Sequence, residues 1–265
     1  IPRDMVNLEV HAPEQNKAKV QVEEEALKEA VDDIVLRLKN AKHPVLMVGV
    51  QVRRFGLKDT VVALSEALGI PVVTSILGKA TFPESHANFI GNYFGQFGNP
   101  LVKDYVEKSD CIIALGAVLT EMETAGYTAK LTPHNLIQIN ASEVVVGYHN
   151  YHGLSIDSVI KELLGAVTAK LTPTMRFTVP KIARETIVKT SKGKDLSVAC
   201  MIEQLNELLE QGDGYSVITD TGDCMYTGMS LKTDIFLSPG YYVSMGFGVP
   251  AAIGAQLAMP ERRPI

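Results

Sequence analysis

The chain has 265 residues, of which 46% are hydrophobic and 21% charged, and its net charge is −5 with neutral histidines. This is the composition of a soluble globular protein, long enough for one large domain or for one domain with part of another. The charge offers nothing to nucleic acid, and no apolar run approaches the roughly 18–20 residues that cross a membrane. Three scattered cysteines form neither a disulfide framework nor a metal cluster, and a reducing cytoplasm is the default compartment.

The opening Ile1-Pro2-Arg3-Asp4-Met5-Val6 has neither an initiator Met nor the pattern of a signal peptide, and residues 1–20 read as a connector. From Val22 the spacing of Ala26, Ala30, Ile34 and Leu38 predicts a helix, with Glu23, Glu24 and Glu25 at its positive end. His43-Pro44 closes it. Val45–Val50 is almost wholly apolar, as in a strand covered on both faces. Leu57–Leu68 is helical with Gly69 as its C-cap, and Pro71–Ser75 is the next strand. Pro100–Lys108 reads as a short helix, Cys111–Gly116 and Leu136–Asn140 as strands, and Ile156–Leu171 as a helix. This alternation predicts an α/β fold with a doubly wound parallel sheet over residues 21–171.

A linker follows at 172–194, with Pro173, Pro180 and the polar run Lys189–Lys194. Asp195 is the expected N-cap of a helix Leu196–Leu209. Val217–Asp220 and Tyr241–Ser244 are expected strands, Val249–Met259 a helix rich in small residues, and Arg262–Ile265 the start of another strand. So few strands make a poor core, so residues 195–265 are expected to be the truncated first part of a second α/β domain.

Several chemical motifs resolve into structural ones. Gly49-Val50-Gln51-Val52-Arg53-Arg54-Phe55-Gly56 follows a strand but lacks the G-x-G-x-x-G spacing of a dinucleotide loop. Arg53 and Arg54 then read as an exposed pair. The segment Gly91–Gly98 reads as loop packing near the sheet edge, and His149 with His152 lacks the further ligands of a metal site. Asn140-Ala141-Ser142 matches a glycosylation pattern at a strand end, and Cys111 belongs to the core. Gly212-Asp213-Gly214 precedes a strand and is a turn.

Two stretches carry more. Asp220-Thr221-Gly222-Asp223-Cys224 follows a strand, where open α/β sheets place their ligand loops. Pro239–Ala255 sets Met245 among glycines that permit close packing. Together with Leu115–Thr120 and Val146–His149, these residues resemble the thiamine-diphosphate-dependent 2-oxo acid decarboxylases, in the indolepyruvate, phenylpyruvate and pyruvate branch.

The resemblance implies an internal fragment: the end of a pyrimidine-binding domain at 1–20, the central domain at 21–171, and the first part of the diphosphate-binding domain at 195–265. It implies thiamine diphosphate and Mg2+ as cofactors of the full-length parent, a small 2-oxo acid as substrate, and a homodimer or homotetramer. The cofactor carries the hard chemistry, acting as the electron sink for decarboxylation to an aldehyde. Thr221, Gly222, Asp223 and Cys224 match the loop bordering the diphosphate, where the Asp223 backbone N–H suits an anion better than its carboxylate does. Val243, Ser244 and Met245 match the segment beneath the aminopyrimidine; the Val243 carbonyl accepts from its amino group, and Met245 is the wedge that folds the two rings together. The activating glutamate and the metal-binding Gly-Asp-Gly and Asn are expected outside Ile1–Ile265, so the fragment alone is expected to be inactive. Two alternatives are an acetolactate-synthase-like carboligase and a nucleotide- or effector-binding regulatory module on the central sheet.

Overall fold

The computed structural model describes residue 9 and residues 23–170, 177–182, 197–212 and 214–265. The expected connector at 1–20, most of the linker at 172–194, the Asp195 cap and Asp213 lie outside the described residues.

Helix α1 (Glu24–Asn40) buries Ala30, Val31, Ile34, Val35 and Leu38, one stripe at helical spacing. It carries Glu24 and Glu25 in its first turn and Arg37 and Lys39 in its last, matching both ends of the helix dipole. Strand β1 (Pro44–Val48) is buried at every position. A short helix α2 (Val50–Arg54) follows, where only a loop is expected from the sequence. Helix α3 (Lys58–Leu68) ends at Gly69, whose φ of 63° is the left-handed cap that a side chain would disfavour.

Next come β2 (Val72–Thr74), β3 (Phe89–Asn92), α4 (Pro100–Glu107) and β4 (Cys111–Leu115). The Asn99 side chain caps α4 by accepting from the Leu101 N–H at 2.9 Å, and Pro100 takes the first helical position, where no N–H is needed. β5 (Leu136–Ile139) precedes a hairpin, β6 (Glu143–Val146) and β7 (His149–His152), and then α5 (Ile156–Lys170).

The seven strands form one sheet in the order β3-β2-β1-β4-β5-β6-β7. β3 through β5 pair in parallel, whereas β5–β6 and β6–β7 pair antiparallel. The sheet is thus mostly parallel, as the alternation of strand and helix predicts, with an antiparallel hairpin added at one edge. The chain from Asn140 to His152 turns back twice, and Gly147, at φ 64°, permits the tight second reversal between β6 and β7. The Asn140 end of the predicted fourth strand bonds its N–H to the Glu143 carbonyl as part of that reversal.

Each face of the sheet has its own core. Leu46, Val48, Ile113, Leu115, Ile137 and Ile139 face α1, α3 and α5, whereas Val45, Met47, Ile112 and Ala114 face Val102 and Val106 of α4. A fully buried aliphatic side chain contributes about 1.5–3 kcal/mol, so two covered faces explain why β1 and β4 tolerate no polar residue. Cys111 lies in this core, and burial pushes its thiol up to about 12, as expected of an inert residue.

A second, three-stranded parallel sheet has the order β10-β8-β9. It is built from α6 (Val198–Glu210), β8 (Tyr215–Ile218), α7 (Asp223–Gly228), β9 (Phe236–Leu237), α8 (Gly248–Ala258) and β10 (Arg263–Pro264). Ser197 caps α6, accepting from the Cys200 N–H at 3.2 Å. The strand expected at Arg262–Ile265 is present as β10. The strand expected at Tyr241–Ser244 is not. That segment is a turn in which the Val243 N–H bonds the Pro239 carbonyl at 2.7 Å, because Pro239, Gly240 and Gly246 supply the reversals that two tyrosines do not prevent.

Candidate functional site

In the large sheet the strand order reverses between β1 and β4, the place where open α/β sheets hold ligands. Here the two loops touch. A Cβ on Gly49 would stand 2.2 Å from the Gly116 carbonyl oxygen, and one on Gly78 would stand 2.3 Å from the Val48 carbonyl oxygen. Backbone packs closely on backbone where these loops meet.

The second sheet is arranged differently. The chain leaves β8 through Thr219 and Asp220, and the Asp220 carboxylate accepts from the Thr221 N–H at 2.7 Å, the Gly248 N–H at 2.8 Å and the Gly246 N–H at 3.2 Å. These donors hold the carboxyl below its ordinary range. Asp220 therefore staples together the two stretches that stand out in the sequence, which lie more than twenty residues apart. Its linking role has no sequence signal beyond its place at a strand end.

Beyond that staple, Gly222 turns with φ 81° and opens α7. Asp223 begins this helix and is not part of a loop, so the expected loop 221–224 is corrected to a turn followed by a helix start. The first N–H groups of a helix have no intrahelical acceptor, so those of Asp223 and Cys224 remain available. A Cβ on Gly222 or Gly246 would meet nothing within 4 Å, so this cradle is open. The Cys224 thiol turns inward to the Asp220 and Thr221 carbonyls, both at 3.2 Å.

On the facing segment Val243 has φ 54°. A β-branched residue there is strained, and such strain persists only where the surroundings impose it. Ser244 is exposed, and Met245 projects with 88% of its surface exposed. The seven candidates thus fall on two neighbouring turns of one sheet edge. One turn carries open backbone N–H groups and the other an exposed apolar Met245 side chain. Among the described residues, no group of three or more His, Cys, Asp or Glu side chains is placed to hold a metal ion.

Both turns rest on the large sheet. Phe94 stacks on Tyr226 of α7 with ring centroids 5.5 Å apart, and a Cβ on Gly240 would stand 2.9 Å from Leu77 Cδ2. The Arg53 guanidinium donates to the carbonyls of Ala80 and Asp234 at 2.5 and 2.9 Å, which corrects its reading as merely exposed. It sits at the end of α2, where its fork reaches both sheets' loops. Glu123, a residue without sequence signal, is 1% exposed and accepts from the N–H groups of Ile76 and Leu77 at 3.0 and 2.6 Å.

Residues 31–167 match the thiamine pyrophosphate enzyme central domain, and residues 220–265 match the C-terminal domain that binds that cofactor. An indole-3-pyruvate decarboxylase of Azospirillum brasilense is 33% identical over 99% of this chain and 48% of its own length. A pyruvate decarboxylase of Hanseniaspora uvarum is 28% identical over 89% of this chain and 42% of its own. Pyruvate decarboxylase isozyme 2 of Saccharomyces cerevisiae is 27% identical over 91% and 43%. The chain spans about half the length of the curated relatives it matches.

Proposed function

Because this chain belongs to the thiamine pyrophosphate enzyme family, we propose that it is the central part, and the start of the cofactor-binding part, of a non-oxidative 2-oxo acid decarboxylase. We place the central domain at 21–171, the linker at 172–194 and the cofactor-binding part at 195–265. The substrate class is an aromatic or branched 2-oxo acid, and the product is the aldehyde. The observation that carries this reading is the Asp220 staple, which sets open helix N–H groups beside a strained Val243 and a projecting Met245.

Thiamine diphosphate, when bound, supplies the electron sink for loss of CO2. The open N–H groups of Asp223 and Cys224 would hold its diphosphate. The Val243 carbonyl, on a backbone held at φ 54°, would accept from the pyrimidine amino group. Met245, exposed at the facing turn, would fill the space between the two rings and exclude water there. Asp223 presents its backbone to the anion while its carboxylate stays in solvent. Mg2+ would accompany the diphosphate as its counter-ion; among the described residues no cluster of three or more His, Cys, Asp or Glu side chains is placed to hold it.

A homodimer or homotetramer follows as the assembly we infer. Val249, Ile253 and Leu257 lie at i, i+4 and i+8 on one exposed stripe of α8, Met245 and Tyr242 are exposed as well, and apolar patches of this kind mark interfaces. The test uses the intact native protein. Titration calorimetry with thiamine diphosphate and Mg2+ is expected to give stoichiometric binding, and incubation with indolepyruvate or phenylpyruvate is expected to release the aldehyde. Sedimentation of the same sample is expected to give a multiple of the chain mass. Absence of cofactor binding overturns the reading, and acetolactate formation in place of aldehyde moves it to the carboligase alternative.

A further inference from the structure

The large sheet contributes no residue to the two cofactor turns, yet its loops press against both. The carboxylate at the centre of those loops is buried and makes no ion pair among the described residues. Glu123 lies in the segment after β4 and takes both of its principal hydrogen bonds from the segment after β2. Ser75 adds a hydroxyl donor, and the Glu123 N–H reaches the Thr120 hydroxyl at 3.4 Å. A chelated carboxylate of this kind fixes Ile76 and Leu77 in one position, because each of its oxygens is committed to one N–H.

Those two residues are the ones that matter to the second sheet. Leu77 fills the space where Gly240 lacks a side chain, at the root of the turn that carries Val243 and Met245. Ile76 packs with Phe94, Ala125 and Met229, and Phe94 stacks on Tyr226 within the helix that Asp223 and Cys224 begin. Lys79, three residues beyond Ile76, is 2% exposed and donates to the Leu231 carbonyl at 2.7 Å. The four non-glycine residues with left-handed φ among the described residues are Ala80, Ala125, Tyr127 and Val243. The first three flank the Glu123 bracket, and the fourth is the strained residue it backs. Strain at these positions needs a rigid support, and the Glu123 chelate is the polar link in it.

We propose that Glu123 is a positioning residue for the cofactor turns, holding Ile76 and Leu77 so that they brace Gly240–Met245 on one side and α7 on the other. The inference rests on the function proposed above. It places the determinant of cofactor affinity in the loops of the large sheet, at a carboxylate that touches no cofactor atom.

The test is Glu123→Gln in the intact native protein. The amide offers one oxygen, so one of the two N–H groups faces an NH2 donor and the loop loosens. The expected result is a rise of roughly tenfold or more in the thiamine diphosphate concentration for half-saturation, at constant Mg2+, with kcat at saturating cofactor changed much less. A role in stability alone lowers the melting temperature of the cofactor-free protein and leaves the affinity of the folded molecules unchanged; that result overturns the proposal. Leu77→Ala tests the same brace without touching a buried charge and is expected to weaken cofactor binding in the same way. If Glu123→Gln fails to fold and Leu77→Ala binds like the parent, the proposal also fails. A parent protein that takes up no thiamine diphosphate overturns the function reading and this inference together, whereas a binding parent with unchanged variants overturns this inference alone.

Discussion

Glu123 is buried among backbone and hydroxyl donors, and that setting has a pH signature. Burial pushes its carboxyl up to about 7 from 4.5, with the bonds from Leu77, Ser75 and Ile76 pulling the other way. A folded-state value above the unfolded one means that the fold favours the protonated form. The stability tied to this preference is complete below about pH 4.5 and is lost as the pH rises through about 7. Glu123→Gln has no such titration. Thermal melts from pH 5 to 8 are therefore expected to show the parent losing stability relative to the variant, by up to about 3 kcal/mol across that range. Parallel melting curves for the two proteins would contradict this. Nothing in Thr120-Glu121-Met122-Glu123-Thr124 distinguishes the buried acid from Glu121, which is exposed. Only the approach of a loop some 46 residues away selects it.

Elements were legible wherever a period ran long enough to be read. α1, α3, α4 and α5 follow stripes of buried apolar residues, α6 turns Ile202, Leu205 and Leu209 to the second core, and β1 and β4 follow unbroken apolar runs. The shortest elements were not legible. β9 and β10 have two residues each and exist because β8 offers open edges on both sides. The Tyr241–Ser244 turn has strand-like composition, but strand propensity reflects packing against neighbours, and this segment has no strand beside it.

Glycines show the same dependence on surroundings. Nothing in the sequence says that Gly49 is crowded and Gly165 is not. Gly49→Ala would drive a Cβ into the Gly116 carbonyl at 2.2 Å and the Ala117 Cα at 2.3 Å, parting the loops after β1 and β4. It is expected to cost about 3 kcal/mol or more in urea denaturation. Gly165 lies exposed in α5, and a Cβ added there would meet nothing within 4 Å, so Gly165→Ala is expected to add about 0.5–1 kcal/mol. Equal effects from the two substitutions would contradict the packing described.

At the scale of the whole molecule, the second sheet is small and leans on the first. Its own core is Ile202, Val217, Leu231 and Phe236, and Ala80 from the large sheet's loops completes it. Polar links add to this: Arg53 bridges the Ala80 and Asp234 carbonyls, Lys79 reaches Leu231, and the Asn92 amide donates to the Met229 carbonyl at 3.2 Å. Hydrogen bonds from a charged donor contribute about 1.5–3 kcal/mol. Arg53→Ala is expected to lower the stability of the second sheet by that amount. Amide hydrogen exchange is the measurement: Tyr215–Ile218 should exchange faster while Pro44–Val48 and Cys111–Leu115 stay protected. Uniform acceleration across both sheets would show that they unfold as one unit.

The sequence by itself determined the α/β class, most helices, the central strands and the stretches 220–224 and 239–255 as the chemically rich ones. Each of these is local: periodicity, caps and turn residues act within a few positions of the chain. The tertiary structure alone decided the antiparallel edge at β6 and β7, the close approach of the loops at Gly49 and Gly116, and the meeting of the two rich stretches through Asp220. It also decided the burial of Glu123. Each of these turns on which distant backbone N–H or carbonyl arrives at a given side chain, and a buried polar group takes its meaning from that partner.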